Sequence, residues 1–326
     1  MHRWDSALNP PPKGVAPIAW CDAADHGATT PRLRGRSWRR SSRGFYVPSD
    51  IALEPHQRII EAAVLLPESG AVGGWASAYW RGVRLLDGQG AGGRHRENVL
   101  LCLGPAGRIR PRSGIDLSRE RLPASEVEEI RDLTCTIGPR TAFDGARKAR
   151  SLYAAVVFLD MMLTGLAVTL PELQDYWADA WRFRGLPRAN RALSLAQFGS
   201  RSPPETGLRL LWVVEAGFTK PLLNAPVFSL DGQLLGYPDI LDEEAGTVLE
   251  YDGDEHRDIG QHTADNAREE LFEDHGLIVC RAGRLDLGPR RQQTLDRVMR
   301  ARSRGLARDR SLDRWTLDPP AWWRRP

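Results

Sequence analysis

The sequence carries Gly236-Tyr237-Pro238-Asp239, then ten residues, then Glu250-Tyr251-Asp252-Gly253. The flanking segments set these acids at strand ends. Ala225–Leu230 and Leu234–Leu241 read as strands joined by Asp231-Gly232, a strong hairpin dipeptide in which Asp231 is simply a turn residue. Thr247–Tyr251 reads as a third strand, after the turn Glu243-Glu244-Ala245-Gly246. A helix over Pro204–Ala216 precedes them, with Leu208, Leu211 and Trp212 near helical spacing; a helix over Thr263–His275 and a strand over Leu277–Cys280 follow. The order helix, strand, strand, strand, helix, strand predicts an α/β domain, a mixed sheet flanked by helices. Glu250 and Asp252 lie two apart on a strand and share a face. Three acids on core strands are expensive unless a cation or hydrogen-bond donors compensate them. Carboxylates converging from adjacent strand ends suit a hard divalent cation, Mg²⁺ or Mn²⁺. Glu205 is placed to complete such a shell. As a first-turn acid after Pro203-Pro204 it serves equally well to complement the helix dipole.

Charge is distributed unevenly around this stretch. The 326 residues carry a net charge of only +3, from 45 Lys+Arg and 42 Asp+Glu, and all but Lys13, Lys148 and Lys220 of the cations are arginine. Residues 1–204 hold 28 Lys/Arg and 20 Asp/Glu, residues 205–280 hold 4 and 17, and residues 281–326 hold 13 and 5. An acidic segment between basic ones fits a cation-holding centre flanked by surfaces that face an anionic polymer. It also fits two solvated charged faces. At 41% hydrophobic and 27% charged residues the chain has the composition of a globular protein, long enough for two or three domains. No apolar run reaches the ~18–20 residues of a membrane span, Ala154–Leu170 being broken by Asp160, Thr164 and Gly165. The first residues lack the apolar core of a secretory signal. Cys21, Cys102, Cys135 and Cys280 are scattered, which predicts a reducing cytoplasm and neither a structural zinc site nor a disulfide frame.

The remaining segments divide as a Pro-rich arm over 1–30, a small basic module over 31–94, a mixed strand and helix region over 95–200, the acidic α/β domain over 201–288, and a basic tail over 289–326. In the basic module Arg32, Arg34, Arg36, Arg39, Arg40 and Arg43 precede Gly44-Phe45-Tyr46-Val47-Pro48, a short strand after a turn. Helices are expected over Pro55–Leu66, Gly73–Trp80, Thr141–Ala149 (with Thr141 as N-cap), Ser151–Leu166 and Pro171–Phe183, and strands over Val99–Leu103 and Cys135–Ile137. The tail over Arg290–Arg314 reads as a helix able to lie along a phosphate backbone, and Trp315, Trp322 and Trp323 as a core cap or an interface.

Pro238-Asp239 followed by Glu250-Tyr251-Asp252 is close to the nuclease motif PD-Xn-(D/E)-X-K, and the element order is that of restriction-endonuclease-like folds. The longer pattern is more specific. Glu205-Thr-Gly-Leu-Arg209, Pro238-Asp239, Glu250-Tyr251-Asp252-Gly253-Asp254-Glu255-His256 and Arg268 resemble actinobacterial proteins with a domain similar to the very-short-patch-repair endonuclease. Arg140-Thr141-Ala142-Phe143-Asp144 and Phe158-Leu159-Asp160 are similar to segments of the same family. The arginine-rich turn with Gly44–Pro48 resembles the wing of a winged-helix module, and Gly74–Gly82 the helix that follows it in the abortive-infection type IV antitoxin family. The likeness runs from about Arg32 to Leu287.

The resemblance implies a metal-dependent DNA endonuclease or nickase. Asp239, Glu250, Asp252 and Glu205 would hold Mg²⁺ or Mn²⁺, His256 would act as acid or base, and Arg36, Arg39, Arg40, Arg43, Arg257 and Arg268 would contact phosphates. RNA in place of DNA would require the same metal chemistry. The chain departs from the nuclease pattern at one place: Asp252 stands where the motif has lysine. Aspartate cannot stabilise phosphate charge, but it can ligate a metal or accept a proton. That departure supports a second reading, a non-enzymatic DNA-binding regulator of antitoxin type with a degenerate nuclease domain.

Overall fold

The computed structural model describes residues 12–27, 29–90, 95–180, 183–253 and 269–323. It is a mixed α/β structure in two compact units, residues 4–195 and, apart from the first three residues, 196–326. Among the described residues no helix is long and apolar enough to cross a membrane.

The first unit opens with β1 (Ile18–Ala19), α1 (Thr30–Leu33), β2 (Trp38–Ser42), β3 (Phe45–Pro48) and α2 (Pro55–Ala63). β1, β3 and β2 form an antiparallel sheet in that order. The β2–β3 hairpin turns at Gly44, whose φ of 85° is left-handed and favours glycine. The β2–β3 register shifts between Arg40 and Ser42, so Ser41 is an extra residue in the ladder.

A five-stranded sheet then forms from β4 (Ala71–Gly73), β5 (Val99–Cys102), β6 (Ile115–Ser118), β7 (Val127–Ile130) and β8 (Leu133–Thr136), in the order β6-β5-β4-β8-β7. α3 (Gly74–Trp80), α4 (Gly138–Lys148), α5 (Leu152–Thr164), α6 (Leu170–Ala178) and α7 (Leu186–Leu195) complete the unit. α3 is buried along its whole length. α5 takes up most of the apolar run over Ala154–Leu170 as a core helix, capped by Ser151, whose hydroxyl accepts from the Ala154 N–H at 3.1 Å.

Charge is also buried here. Asp144 on α4 is fully enclosed, and its two carboxylate oxygens accept from Arg140 Nε at 2.9 Å and Arg147 Nε at 2.7 Å. Arg140 is itself fully buried, ion-paired with Glu126 and stacked 4.9 Å from the Phe183 ring; Arg147 pairs with Glu120. The expected helix over Thr141–Ala149 starts three residues earlier, because Pro139 supplies a first-turn position without needing an N–H partner. Thr141 is therefore not a cap. Its hydroxyl lies inside the unit, 2.8 Å from that of Ser77 and 2.7 Å from that of Thr136. Nearby, burial pushes the Cys102 and Cys135 thiols up to about 12, which keeps them protonated and unreactive.

The second unit comprises α8 (Pro203–Leu210), β9 (Leu222–Leu223), β10 (Val227–Ser229), β11 (Leu234–Gly236), β12 (Ile240–Asp242), β13 (Thr247–Asp252), α9 (described over 269–274), β14 (Ile278–Gly283), α10 (Arg291–Leu306) and β15 (Trp315–Thr316). α8 continues as a wider π turn over Leu211–Glu215. The four-stranded sheet runs β14-β13-β12-β9, with only the β13–β14 pair parallel. One face, with Leu223, Ile240, Leu249 and Ala282, packs on Leu208, Leu211 and Trp212 of the α8 segment and on Val298 of α10. The other face, with Leu241 and Val248, packs on Phe272 of α9 and on Trp315.

The expected single strand over Leu234–Leu241 is two strands in two sheets. β11 pairs with β10 through the predicted Asp231-Gly232 hairpin, whereas β12 pairs with β9 and β13. Gly236, at φ 154°, and Pro238, which has no N–H to donate, break the ladder between them. The C-terminal segment is a helix as expected, then strand β15, which pairs with β10 beside the Phe228–Trp323 edge contact at 5.1 Å.

Removing the Asp144 carboxylate leaves two guanidinium groups facing each other in the core. Asp144→Ala is expected to lower the stability of the first unit by about 3–5 kcal/mol, read from the urea midpoint of its unfolding transition. The same network sets a pH dependence. Burial alone would raise the Glu120 carboxyl, but hydrogen bonds and charge from Arg147 outweigh it and hold the group below the usual carboxylate range. A depressed folded pKa stabilises above the unfolded value, about 4.3, and that stability is lost as pH falls through the folded one. Thermal midpoints should therefore fall on acidification below about pH 4.3, and Glu120→Gln should lower the neutral-pH midpoint and flatten the acid limb.

Candidate functional site

Strand pairing places the predicted acids. In the β12–β13 ladder Ile240 pairs with Leu249, so one step back along the same register sets Asp239 across from Glu250. The Asp239 backbone stays in the sheet, its carbonyl accepting from the Asn224 N–H at 3.3 Å. Directly opposed residues share a face, so Asp239 and Glu250 lie on the Leu241/Val248 face with Asp252 one pleat further on. Asp239 Oδ2 accepts from the Tyr251 N–H at 2.8 Å, which fixes its carboxylate against β13. Glu250 is only 5% exposed, whereas Asp239 and Asp252 are half-buried. In the parallel ladder Arg281 stands beside Glu250 and Gly283 beside Asp252. The Arg281 guanidinium also lies 3.1 Å from Glu269 on α9.

Glu205 belongs to the start of α8. Its carboxylate accepts from the Arg201 N–H at 2.7 Å, the Ser202 hydroxyl at 2.9 Å and the Asn224 amide at 3.0 Å, while Ser202 caps the helix by accepting from the Glu205 N–H. These donors give Glu205 the capping role that its first-turn position suggested. Among the described residues no group of three or more His, Cys, Asp or Glu side chains is close enough to hold one metal ion. The site that emerges is the pair Asp239/Glu250 with Asp252 adjoining. His256, Arg257, Arg268, Asp254, Glu255 and His262 lie outside the described residues. His275 is described, and its ring nitrogen Nδ1 lies 2.7 Å from the Leu271 carbonyl of α9, just before it.

The structure separates the N-terminal arginines. Arg39 forms a bidentate ion pair with Glu61 and also donates to the Ile51 carbonyl. Arg36, Arg40 and Arg43 are exposed.

The basic helix expected in the tail forms part of a surface that sequence reasoning did not join to Arg281 on β14. Arg281, Arg297, Arg300 and Arg304 line a hollow of about 590 Å³ between β14 and α10. The signal was present: Arg297, Arg300 and Arg304 follow the i, i+3, i+7 spacing of one helix face. α10 is oriented by further arginines, Arg302 on Asp242 at 2.8 Å and Arg291 on Glu215.

Comparison with family models, with curated proteins and with solved structures gives no match. The functional reading therefore rests on the geometry.

Glu205 offers a direct check of the local account. Glu205→Ala leaves a buried amide and a helix start without their acceptor and should cost about 1.5–3 kcal/mol, the range for a hydrogen bond to a charged group. Glu205→Gln keeps one acceptor oxygen and should recover part of that loss in the same denaturant titration.

Proposed function

We propose that the chain is a metal-dependent nuclease acting on DNA, with a restriction-endonuclease-like second unit and a winged-helix-like N-terminal module. The observation that carries this reading is the placement of Asp239 opposite Glu250 at the end of two adjacent antiparallel strands. Mg²⁺ commonly keeps several waters and takes only one or two protein carboxylates plus substrate phosphate oxygens, so a pair of acids suits it where a closed cage would not. The fixed Asp239 carboxylate and the buried Glu250 would hold the ion. When bound, it lowers the pKa of water and polarises the phosphodiester. Asp252, half-buried on the same face, would accept a proton from the attacking water or add an oxygen ligand. Arg281, beside Glu250 in the ladder, supplies the positive charge that the motif lysine would bring, and the arginines of α10 extend it into a phosphate-facing surface. His256, Arg257 and Arg268 keep the roles that the resemblance gives them. Free, scattered cysteines and two inert buried thiols suit the reducing cytoplasm.

A second reading has its own support. With Asp252 in the lysine position, the same unit would bind DNA without cutting, as a regulator of antitoxin type.

Incubating the pure protein with supercoiled plasmid and Mg²⁺ or Mn²⁺ separates the two. The nuclease reading expects nicking or linearisation that EDTA abolishes. Asp239→Ala and Glu250→Ala should each slow cleavage by more than about 100-fold, the upper end of what losing even an outer-shell metal partner costs, with unchanged circular dichroism. A protein that binds the plasmid, retains that binding in Glu250→Ala, and never cuts with either ion establishes the regulator instead.

A further inference from the structure

The first unit contains a second cationic groove, of about 770 Å³, that involves none of the acids above. The β2–β3 hairpin contributes one wall, with Arg40, Ser41, Ser42 and Arg43. The extended segment between β5 and β6 contributes the other, with Arg108, Arg110 and Arg112. Arg108-Ile109-Arg110-Pro111-Arg112 repeats arginine at every second position, the spacing that keeps successive side chains of an extended chain on one side. Arg119 holds this segment in shape by donating to the carbonyls of Gly107 at 3.1 Å and Ile109 at 2.8 Å. Among the described residues no acidic side chain lines the groove.

Among the described residues Arg39, Arg81, Arg140, Arg147, Arg281, Arg291, Arg297, Arg302 and Arg308 all form ion pairs. Among the described residues the five arginines of the groove form none. Arg40, Arg43, Arg108 and Arg110 are exposed. Three polar atoms of the lining are also buried without a hydrogen-bond partner, Ser41 Oγ, Ser42 Oγ and Arg112 Nη1. Folded proteins leave few such atoms unmet, and those they leave call for an explanation such as an absent ligand or ion. The extra residue in the β2 ladder is Ser41, and ladder irregularities of this kind commonly re-aim side chains beside functional sites.

From these features we infer that the groove is a docking site for the phosphate backbone of duplex DNA, with the five arginines and two serine hydroxyls as its contacts. The inference deepens the nucleic-acid reading of the chain and rests on it for the choice of ligand. Duplex is favoured over single strand because single-strand sites are built on aromatic platforms, and among the described residues Phe45 is the only aromatic side chain lining this groove. Arginine forks and hydroxyls match phosphate oxygens and carry no base code, so the site sets position and affinity and leaves sequence choice to other contacts.

The test is salt-dependent binding of the full chain to a fluorescein-labelled 20-base-pair duplex in EDTA, where no metal-dependent cutting intervenes. Each phosphate contact contributes about 0.9 to the slope of log K against log salt on B-DNA. Replacing three exposed groove residues together, Arg43→Ala, Arg108→Ala and Arg110→Ala, should therefore reduce the slope by about 2.7. Arg191→Ala, exposed on α7 of the same unit but outside the groove, should leave the slope within error. A slope unchanged by the triple replacement overturns the proposal, as does absence of duplex binding at low salt. So does a groove-dependent slope seen with duplex RNA and absent with DNA. Plasmid cleavage is scored separately on the same proteins. Cutting that persists while the triple replacement leaves the slope unmoved overturns the groove and spares the nuclease reading. The expected drop in slope for a chain that never cuts supports the groove and counts against the nuclease reading.

Discussion

Antiparallel pairing of β12 with β13 leaves no freedom in which side chains share a face. A slip of β13 by one residue would send Val248 to the side opposite Leu241 and take Glu250 with it. The apolar residues forbid it, because Ile240 and Leu249 are held by the α8 segment and α10 while Leu241 and Val248 are held by Phe272 and Trp315. Two separate cores clamp one strand pair from both sides. The relation of Asp239 to Glu250 is thus enforced by hydrophobic packing one and two residues away, and the acids need no attraction of their own to be brought together. The Tyr251 N–H bond to Asp239 refines an orientation that the register has already set.

The first unit relies on the opposite device. Its α4 helix buries a carboxylate between two guanidinium groups, and the outer acids Glu126 and Glu120 complete the charge balance. Such a cluster adds less net stability than apolar packing of equal volume would. It is geometrically demanding, however. Five charged side chains from α4 and the segments around β6 and β7 must meet correctly before any of them is satisfied, so the cluster penalises misdocking of the helix more than it rewards docking.

Periodicity and turn chemistry made most helices and core strands legible in the sequence, including the Asp231-Gly232 hairpin, β13 and the apolar α5. The misreadings have local causes. Leu234–Leu241 looked like one strand because Leu234-Leu235 and Ile240-Leu241 give it apolar ends, whereas the conformation at Gly236 and the missing N–H of Pro238 make the break. Thr141 looked like a cap because threonine usually is one near a helix start, yet Pro139 had already begun the helix. Asp239 and Glu250 were legible as a pair because two strands and a turn fix their separation. The buried partners of Glu205 were not, since Asn224 reaches it only through folding of a distant loop. The groove arginines stood in plain alternation at Arg108–Arg112, but segments far apart in sequence had to be folded together before their shared lack of counter-ions meant anything.

Strand β15 lends the two units different histories during synthesis. All described elements of the first unit lie between Ile18 and Leu195, so that unit can fold while the rest of the chain is still being translated. The second unit cannot close its smaller sheet until Trp315 and Thr316 reach β10, which was made long before. Through that interval the edge of β10, with Phe228, waits uncovered. The nascent chain therefore presents a finished first unit beside an unfinished second one, and the final strand acts as the latch that ends its exposure to aggregation.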